Sequence, residues 1–317
     1  MSIAQDYIDL FSGDKSGHLA KYTYSCKPEL WDELLKKEDY YLFPAECTIL
    51  NSKLAENFNY TDVYQVIEVG PGSGISVTSK TIPFLKLIEK SSKNKLSKYV
   101  ALDLMPEYTE KACKIVKENF KSLEVEAFKY DFMSLSNNIQ LSRSENLKNF
   151  LCFFGSTFSN LNNVEVELSL ILNNFRALLE KNDYFLCGID INKDPDSLQK
   201  AYDNDIMHEL LINVMRNLKA EFNLKDFKPE EFDATCKWNE KKSRVEGYLK
   251  PRIKQEVAIG QRTFILEEDQ HFFIGTSIKF DLQDIVKIFK REGLLVKDVV
   301  INDEQDPKFA TIISQFI

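Results

Sequence analysis

The stretch VIEVGPGSG, Val66 to Gly74, constrains the fold of this chain more than any other. An apolar run ends at Val69, and glycines follow at positions 70, 72 and 74. Such a run predicts a buried parallel strand, and the glycines predict a tight turn whose backbone closely approaches a ligand. The chain is therefore expected to contain an open parallel sheet with a ligand loop after this strand.

The residues around this loop alternate between strand and helix patterns. Helical stretches such as EYTEKACKIVKENF and EVELSLILNNFRALLE separate the apolar runs. This alternation predicts a doubly wound α/β sheet, with the loops that follow the strands gathered at one edge, where ligands bind. The candidate strands are 64–69, 99–103, 123–128, 149–154 and 184–189.

The form of the glycine loop narrows the ligand. A dinucleotide fingerprint would place its third glycine where this chain has Ile75, and a phosphate-binding P-loop would end in a lysine that is absent here. The observed pattern is E-x-G-x-G-x-G, beginning at Glu68. It suits S-adenosylmethionine (SAM): glycines admit the methionyl part, and the acid attracts its ammonium. A purely structural glycine turn is the alternative.

Acidic residues end the next two strands as well. Asp103 follows the second strand, where a carboxylate can accept both ribose hydroxyls, although a helix-capping or turn aspartate would look the same. Asp131 follows the third strand and can bind the adenine amino group, while Phe132 can stack on the ring. Together with the loop, these strand ends predict SAM as the cofactor.

The second half of the chain departs from this alternation and then returns to it. Residues 1–60 and the stretch after 194 read as helical, and strand-like segments continue to about residue 279. A final helix and two strands resemble the usual end of a SAM-methyltransferase sheet. We therefore expect a Rossmann-like methyltransferase domain of residues 47–190 plus 280–317, and an α+β substrate-binding domain of residues 1–46 plus 191–279.

Composition limits the partners. The chain has 317 residues, a net charge of −8, and no concentrated basic patch, which disfavours nucleic acid as a partner. Neither an 18-residue apolar window nor a secretion signal is visible, so we expect a cytoplasmic protein that binds no membrane. The cysteines and histidines lack metal-ligand spacing, so no metal is expected. A small-molecule substrate and a monomer complete this expectation.

Several longer motifs carry a specific resemblance. The segments KYTYS, DYYLFPAE, VIEVGPGSG, FFGSTFSNL, GIDINKDPDSLQKAYDN, LKAEFNLKDF and IGTSIKF span nearly the whole chain. In these segments the chain resembles the histidine-specific N-alpha-methyltransferases of the ergothioneine pathway and their relatives, which include an enzyme of ergot alkaloid biosynthesis. The resemblance implies a SAM domain and a second domain that binds an α-amino acid by its backbone end.

The resemblance also implies roles for individual residues. Asn160 matches an asparagine that holds the substrate carboxylate and amine, and Tyr202 matches a tyrosine that grips the same carboxylate. Tyr40 matches a tyrosine beside the amine, which makes Tyr40 and Asn160 the expected catalytic residues. Tyr24 matches a tyrosine at the junction with SAM. For each tyrosine, the alternative is a core aromatic residue with a satisfied hydroxyl.

The chain departs from the family where the substrate side chain is read. Ser277 matches a serine of the histidine enzymes, but Gly275 stands where they have a glutamate that takes the imidazole N–H. Gly247 stands where a larger apolar residue is common. Both glycines are expected to widen this end of the pocket and to lower its charge.

These features predict a SAM-dependent N-methyltransferase acting on the α-amine of an amino acid or derivative, with a bulky or aromatic side chain favoured over histidine. Two alternatives stay open. The protein could methylate a small molecule of secondary metabolism that is not an amino acid, or it could bind SAM without catalysis.

Overall fold

A computed structural model describes residues 3–13, 19–57, 59–92, 96–134, 139–141 and 147–317. Residues 14–18 and Phe58, inside the predicted N-terminal helical region, lie outside the described residues. The chain forms two compact units from interleaved segments. We call Leu42–Phe158, Asn163–Asn192 and Phe280–Ile317 the sheet unit, and Met1–Tyr41, Ser159–Asn162 and Lys193–Lys279 the insert unit.

The strands are β1 Val63–Val69, β2 Lys98–Asp103, β3 Glu124–Lys129, β4 Lys148–Phe153, β5 Tyr184–Asp190, β6 Phe232–Asn239, β7 Arg244–Pro251, β8 Gln255–Ile259, β9 Arg262–Leu266, β10 Phe272–Ile278, β11 Leu294–Ile301 and β12 Phe309–Phe316. The α-helices are α1 Ile3–Ser12, α2 Glu29–Leu35, α3 Leu42–Thr48, α4 Leu54–Asn57, α5 Gly74–Ser76, α6 Ile82–Ser91, α7 Pro106–Asn119, α8 Val164–Leu178, α9 Pro195–Tyr202, α10 Asp205–Glu221 and α11 Leu282–Arg291. Among these described helices, none has the length and apolar composition that crossing a bilayer would require.

The sheet unit is built on a seven-stranded sheet. Its strand order is β11-β12-β5-β4-β1-β2-β3. Strands β1 to β5 run parallel, and β12 pairs antiparallel with both β5 and β11. The order reverses between β1 and β4, and the crevice at the carboxyl ends of such strands is where open α/β sheets bind ligands. The predicted α/β class is confirmed.

The central strands of the sheet are mostly apolar and almost completely buried. Ile67, Phe150 and Leu186, on three neighbouring strands, are fully buried. Near-continuous apolar runs of this kind are typical of parallel strands covered on both faces. Burying each such side chain contributes about 1.5–3 kcal/mol, so the sheet supplies a rigid base for the loops at its edge.

The helix after the glycine loop is widened for one turn. It starts at Gly74, where the Ser73 side chain accepts a hydrogen bond from Ser76 N–H, and passes through a π-helical turn at Val77–Thr81 before α6. Single π turns often occur at functional sites. Here the widened turn carries two polar side chains, Lys80 and Thr81, that are buried within the sheet unit.

The carboxyl end of β4 is fixed by Glu46 of α3. Its Oε1 accepts a 2.7 Å hydrogen bond from Gly155 N–H, and its Oε2 lies 3.1 Å from Lys80 Nζ. Helix α3 therefore belongs to the sheet unit. This unit starts at Leu42, whereas the sequence analysis placed the start of the methyltransferase domain at residue 47.

The insert unit combines helices with two small antiparallel sheets. One has the strand order β10-β7-β6, and the other pairs β8 with β9. Helix α10 is capped by Asn204 and buries Leu210, Val214 and Leu218. The Tyr7 hydroxyl of α1 donates to the carbonyl of Val214 over 2.7 Å, which fixes the N-terminal helix on α10.

Substituting Gly188 on β5 tests the packing around Glu46. A Cβ at this position would lie 2.8 Å from both Glu46 Oε1 and the Gly155 carbonyl oxygen, and 2.7 Å from Phe309 Cζ. We expect Gly188→Ala to lower the free energy of unfolding by about 3 kcal/mol, the upper end of overpacking costs. Chemical denaturation measures this. Gly260→Ala is the control, because its φ of +60° adds backbone strain where no atom lies within 4 Å; an equal loss in both variants would contradict the packing argument.

Candidate active site

The glycine loop leaves β1 in a conformation that requires glycine. Gly70 has a φ of +68° and Gly72 a φ of +66°, both in the left-handed region. Gly70 N–H donates a 2.7 Å hydrogen bond to the Leu102 carbonyl, which holds the start of the loop against β2. At Gly74 a Cβ would lie 2.7 Å from Lys111 Cε, a contact that the flexible lysine side chain can relieve.

Glu68 lies beneath this loop and is 1% exposed. Its two oxygens accept hydrogen bonds from the Thr81 hydroxyl, both at 2.9 Å, and Tyr99 donates to Oε2 over 2.6 Å. Burial raises the pKa of the Glu68 carboxyl to about 7, while the bonds from Tyr99 and Thr81 oppose that rise. The loop therefore rests on a hydrogen-bonded carboxyl that is partly ionised near neutral pH.

Asp103 lies at the carboxyl end of β2, next to the loop. Its Oδ1 accepts a 2.9 Å hydrogen bond from Met105 N–H. Burial raises the pKa of Asp103 to about 6, against the lowering effect of backbone N–H groups of Met105, Leu104 and Gly72. One oxygen of Asp103 thus closes the turn, as the turn interpretation expects. The side chain is only partly buried, and ligand binding by Asp103 stays a prediction.

Asp131 and Phe132 follow β3, as the sequence suggested. Asp131 Oδ1 accepts a 2.9 Å hydrogen bond from Met133 N–H. The Phe132 ring meets that of Phe153, at the end of β4, with centroids 5.2 Å apart. Asn174 of α8 donates to the Phe132 carbonyl over 2.7 Å, so the backbone at this strand end is fixed.

These residues fit a nucleoside bearing an amino-acid tail. The left-handed glycines expose backbone, and partly buried carboxyl groups end two adjacent strands, beside an aromatic ring. Hydroxyls and an exocyclic amine are donors that carboxylates accept. The sheet unit therefore brings together all the residues that the sequence predicted for the cofactor, apart from Tyr24, which belongs to the insert unit.

In the insert unit, a row of aromatic rings connects the predicted tyrosines. Tyr24 meets Trp31 with centroids 5.3 Å apart, Trp31 meets Tyr40 at 6.2 Å, and Tyr40 meets Tyr202 at 6.3 Å. Each contact is edge-on, the arrangement that aromatic pairs prefer. Tyr40 and Tyr202 are 6% and 7% exposed. Three tyrosines that are distant in sequence thus share one cluster.

The row ends at a compact polar group. The hydroxyls of Tyr202 and Ser277 lie 3.0 Å apart. Lys279 Nζ donates to the Tyr202 hydroxyl over 2.9 Å and to Ser277 Oγ over 2.8 Å. We call Tyr202, Ser277 and Lys279 the hydroxyl–ammonium cluster.

Asn160 lies in a short segment that is fixed to β10. The Thr276 hydroxyl donates a 2.9 Å hydrogen bond to the carbonyl of Leu161, the residue after Asn160. Thr276 separates Gly275 from Ser277 on the strand. Asn160 is half-buried. The segment with Asn160, which is predicted to bind the substrate carboxylate, is therefore bonded to β10. The same strand carries Gly275 and Ser277, which are predicted to contact the substrate side chain.

The two departures from the family pattern are direct neighbours. Gly275 on β10 pairs with Gly247 on β7, so both positions face the same side of the small sheet as Ser277. A Cβ at Gly247 would lie 3.1 Å from Leu211 Cδ2. Leu211 thus fills the space that a larger residue at 247 would take, and the expectation of a wider pocket rests on Gly275 alone.

Glu246 faces the other side of that sheet. Its carboxylate accepts hydrogen bonds from Arg244 at 2.7 Å and from Tyr248 at 2.8 Å, both two residues away on the same strand face. The Tyr248 ring also meets that of His271. Glu246 is therefore bonded to residues on the face of the sheet opposite Gly275.

Sequence reasoning missed three residues of these clusters. Lys279 is two residues after Ser277 in IGTSIKF, hence on the same strand face, and Glu46 ends the motif DYYLFPAE. For these two residues the signal was a charged side chain within a motif that a neighbouring residue had already explained. Trp31 lies between the motifs KYTYS and DYYLFPAE, in a stretch with a helical pattern.

Comparisons with known proteins show which family the sequence matches. The model of a family described as histidine-specific, SAM-dependent methyltransferase matches residues 18–314. A histidine N-alpha-methyltransferase of Mycolicibacterium smegmatis is 24% identical over 276 residues, with 84% of this chain and 80% of that protein covered. Its counterpart from Mycobacterium tuberculosis is 23% identical over 274 residues, with the same coverage of 84% and 80%.

Among solved structures, a SAM-dependent methyltransferase from Clostridium acetobutylicum is similar, with a TM-score of 0.49 and 14% identity over 92% of this chain and 98% of that one. The family match extends over most of the sequence, including the glycine loop and all the predicted site residues. The protein is therefore a member of the histidine-specific methyltransferase family, an enzyme that uses S-adenosylmethionine as its methyl donor.

Proposed function

We propose that this enzyme methylates the α-amine of a free amino acid whose side chain is bulky or aromatic rather than an imidazole. The observation that carries this proposal is the face of the small sheet where Gly275 stands beside Ser277, whose hydroxyl contacts Tyr202. The carboxylate-binding end of the family pattern is kept in this arrangement. The acidic group that would read an imidazole is replaced by glycine.

In this proposal Asn160 and Tyr202 hold the substrate carboxylate with neutral donors. An amide N–H and a hydroxyl can each donate a hydrogen bond to a carboxylate. SAM, when bound, supplies an electrophilic methyl group, and the chain's own residues orient the amine toward it. Orientation of this kind accounts for a large share of enzymatic rate acceleration. Binding of the substrate carboxylate matters because it fixes the position of the amine.

The amine has to be neutral to act as a nucleophile. Tyr40, which the family pattern puts beside it, is the candidate to accept or relay that proton. Its contacts with Trp31 and Tyr202 support this role, because they restrict the ring to one orientation. Tyr24, at the start of the same row, is proposed to line the methyl-transfer end of the substrate site.

The proposed cofactor contacts follow the strand ends of the sheet unit. Gly70, Gly72 and Gly74 admit the methionyl part, and Asp103 binds the ribose hydroxyls. Asp131 and Phe132 bind the adenine. Glu68 acts from beneath the loop through its charge, since its oxygens are already bonded to Thr81 and Tyr99.

The ribose contact predicts a pH dependence of SAM binding. The pKa of Asp103 is raised to about 6, and hydroxyl donors favour the ionised form. The contribution of Asp103 to SAM affinity should therefore stay constant above that pH and fall by up to about tenfold per pH unit below it. Calorimetric titration across this range measures the effect.

Asp103→Asn is the matched control for this dependence. It should weaken SAM binding by roughly 2–3 kcal/mol at pH 7 and remove the inflection near the pKa of Asp103. Because the pKa of Asp103 is raised from 3.8 to about 6, folding stability falls as the pH rises between these values, and ionised Asp103 keeps that cost at pH 7. The variant is thus expected to stay folded at pH 7. Native affinity in this variant would refute the ribose contact.

Asn160→Ala tests the carboxylate clamp. We expect methyl transfer to free amino acids to be lost, because a buried hydrogen bond to a charged group disappears, while SAM affinity stays within a few-fold of native. Radiolabelled methyl transfer and calorimetry measure the two quantities. Asn173→Ala, on the exposed face of α8, is the control. Turnover that survives Asn160→Ala would favour the alternative, a small-molecule substrate that is not an amino acid.

Gly275→Glu tests the specificity. An unpaired imidazole N–H costs about 1–3 kcal/mol, so restoring a carboxylate should raise activity on histidine relative to tryptophan roughly 10–100-fold. Competition between the two amino acids measures this ratio. Gly275→Gln adds the same bulk without the charge and should exclude tryptophan without an equal gain for histidine. A native enzyme that methylates histidine and ignores tryptophan would overturn the specificity argument.

A further inference from the structure

The small sheet of the insert unit has a row of three positions with little side-chain bulk on one face. Cys236 on β6 pairs with Gly247 on β7, which pairs with Gly275 on β10. Directly opposed residues of antiparallel strands share a face, so the row lies on the face that also carries Ser277. Burial raises the pKa of the Cys236 thiol to about 12, so this residue is neutral. The row is therefore uncharged and leaves space for side chains from other elements.

Helix α10 fills one part of that space. Leu211, which is 8% exposed, has its Cδ2 and Cδ1 atoms 3.1 and 3.4 Å from where a Cβ at Gly247 would lie. Opposed Cβ positions on paired strands are about 4.5–5.5 Å apart, so the Leu211 methyl groups also border the position above Gly275. Gly247 is buried, whereas Gly275 is partly exposed. The row is thus closed by Leu211 at one glycine and open at the next.

A hydrogen-bonded link fixes α10 against this row. His208, one turn before Leu211 on the same helix face, has its Nε2 2.6 Å from Asp203 Oδ1. The same carboxylate oxygen accepts a 3.0 Å hydrogen bond from Cys236 N–H. The helix that carries Leu211 is therefore bonded to the end of the row at β6, and this link holds the Leu211 side chain at a fixed distance from the two glycines.

We propose that Leu211 is a specificity-determining residue whose methyl groups form the wall that limits the size of the substrate side chain. This inference rests on the proposed function, in which the substrate side chain lies over Gly275. It does not involve the binding of the substrate carboxylate or amine. The preferred substrates are amino acids whose uncharged side chain packs against a branched aliphatic group, up to a length that Leu211 sets.

The expected effect follows from apolar contact. One methylene group more or less in a hydrophobic pocket changes discrimination between substrates by about 10–200-fold. Truncating Leu211 to alanine removes the branched end of the wall. A longer substrate side chain then gains room and apolar contact over Gly247, while a shorter one loses contact. The ratio of kcat/KM for two substrates reports this change independently of stability, because both substrates meet the same folded enzyme.

The experiment measures kcat/KM for L-tryptophan and for L-biphenylalanine, whose side chain is longer. The native enzyme is expected to prefer tryptophan. Leu211→Ala should shift the ratio toward biphenylalanine by about tenfold or more. Leu211→Val, a milder truncation, should shift the ratio in the same direction by a smaller factor, and it serves as the test where the alanine variant does not fold.

Two further variants separate the wall from the packing of α10. Gly247 lies within β7, where a branched side chain is favoured. Combining Leu211→Ala with Gly247→Val returns apolar bulk to the same place from the strand and should reverse most of the shift. Leu218→Ala makes the same truncation two turns further along α10, at a residue that is 0% exposed. In that control stability should fall while the substrate ratio stays at its native value. Thermal unfolding and SAM titration are recorded for every variant.

The results separate this inference from the function on which it rests. A native preference for biphenylalanine, or a ratio that stays within about twofold of native in the Leu211 variants, overturns the role of Leu211. An equal shift in Leu218→Ala overturns it as well, and in each of these cases N-methylation of amino acids stands. If native protein methylates none of tryptophan, histidine and biphenylalanine, the proposed function itself fails. A shift in Leu211→Ala that Gly247→Val reverses supports the inference.

Discussion

The sheet unit depends on one buried carboxylate, that of Glu46. It ties helix α3 to the widened turn through Lys80 and to the end of β4 through Gly155. Breaking a buried ion pair by removing one partner typically costs about 3–5 kcal/mol, since the remaining charge stays buried and unpaired. The conformations of the glycine loop's helix and of the turn after β4 are thus joined in one network. The turn with a positive φ at Gly155 leads directly into the segment that carries Asn160.

The same design recurs wherever the chain is expected to meet its ligands. Burial raises the pKa of Glu68 and of Asp103, so the ionised forms of these carboxyl groups lower the free energy of unfolding. Lys279 is a cation held by two hydroxyls. Each polar group is oriented before any ligand arrives, so little reorganisation is needed on binding. Strain and buried charge of this kind are common at functional sites.

The sequence predicted the sheet well because apolar runs and glycine turns are local signals. Each predicted strand was found to within one or two residues, and the cofactor candidates follow the strands as expected. Local sequence patterns do not predict which distant residue packs against a given position. Leu211, on a helix far from β7 in sequence, packs where Gly247 leaves space. Lys279 and Glu46 were missed for a related reason, since a charged residue in a motif looks exposed until its partners from other segments are known.

The position of β12 has a consequence for how the protein is made. This strand closes the outer edge of β5, yet the long segment Lys193–Lys279 is synthesised between the two. At about 5–20 residues per second, β5 leaves the ribosome on the order of ten seconds before its partner. During that time an apolar edge with the sequence YFLCGI has no neighbour on one side, which is the kind of surface that recruits strands from other chains. The inserted segment therefore accounts for most of the interval in which this edge of the nascent chain is unpaired.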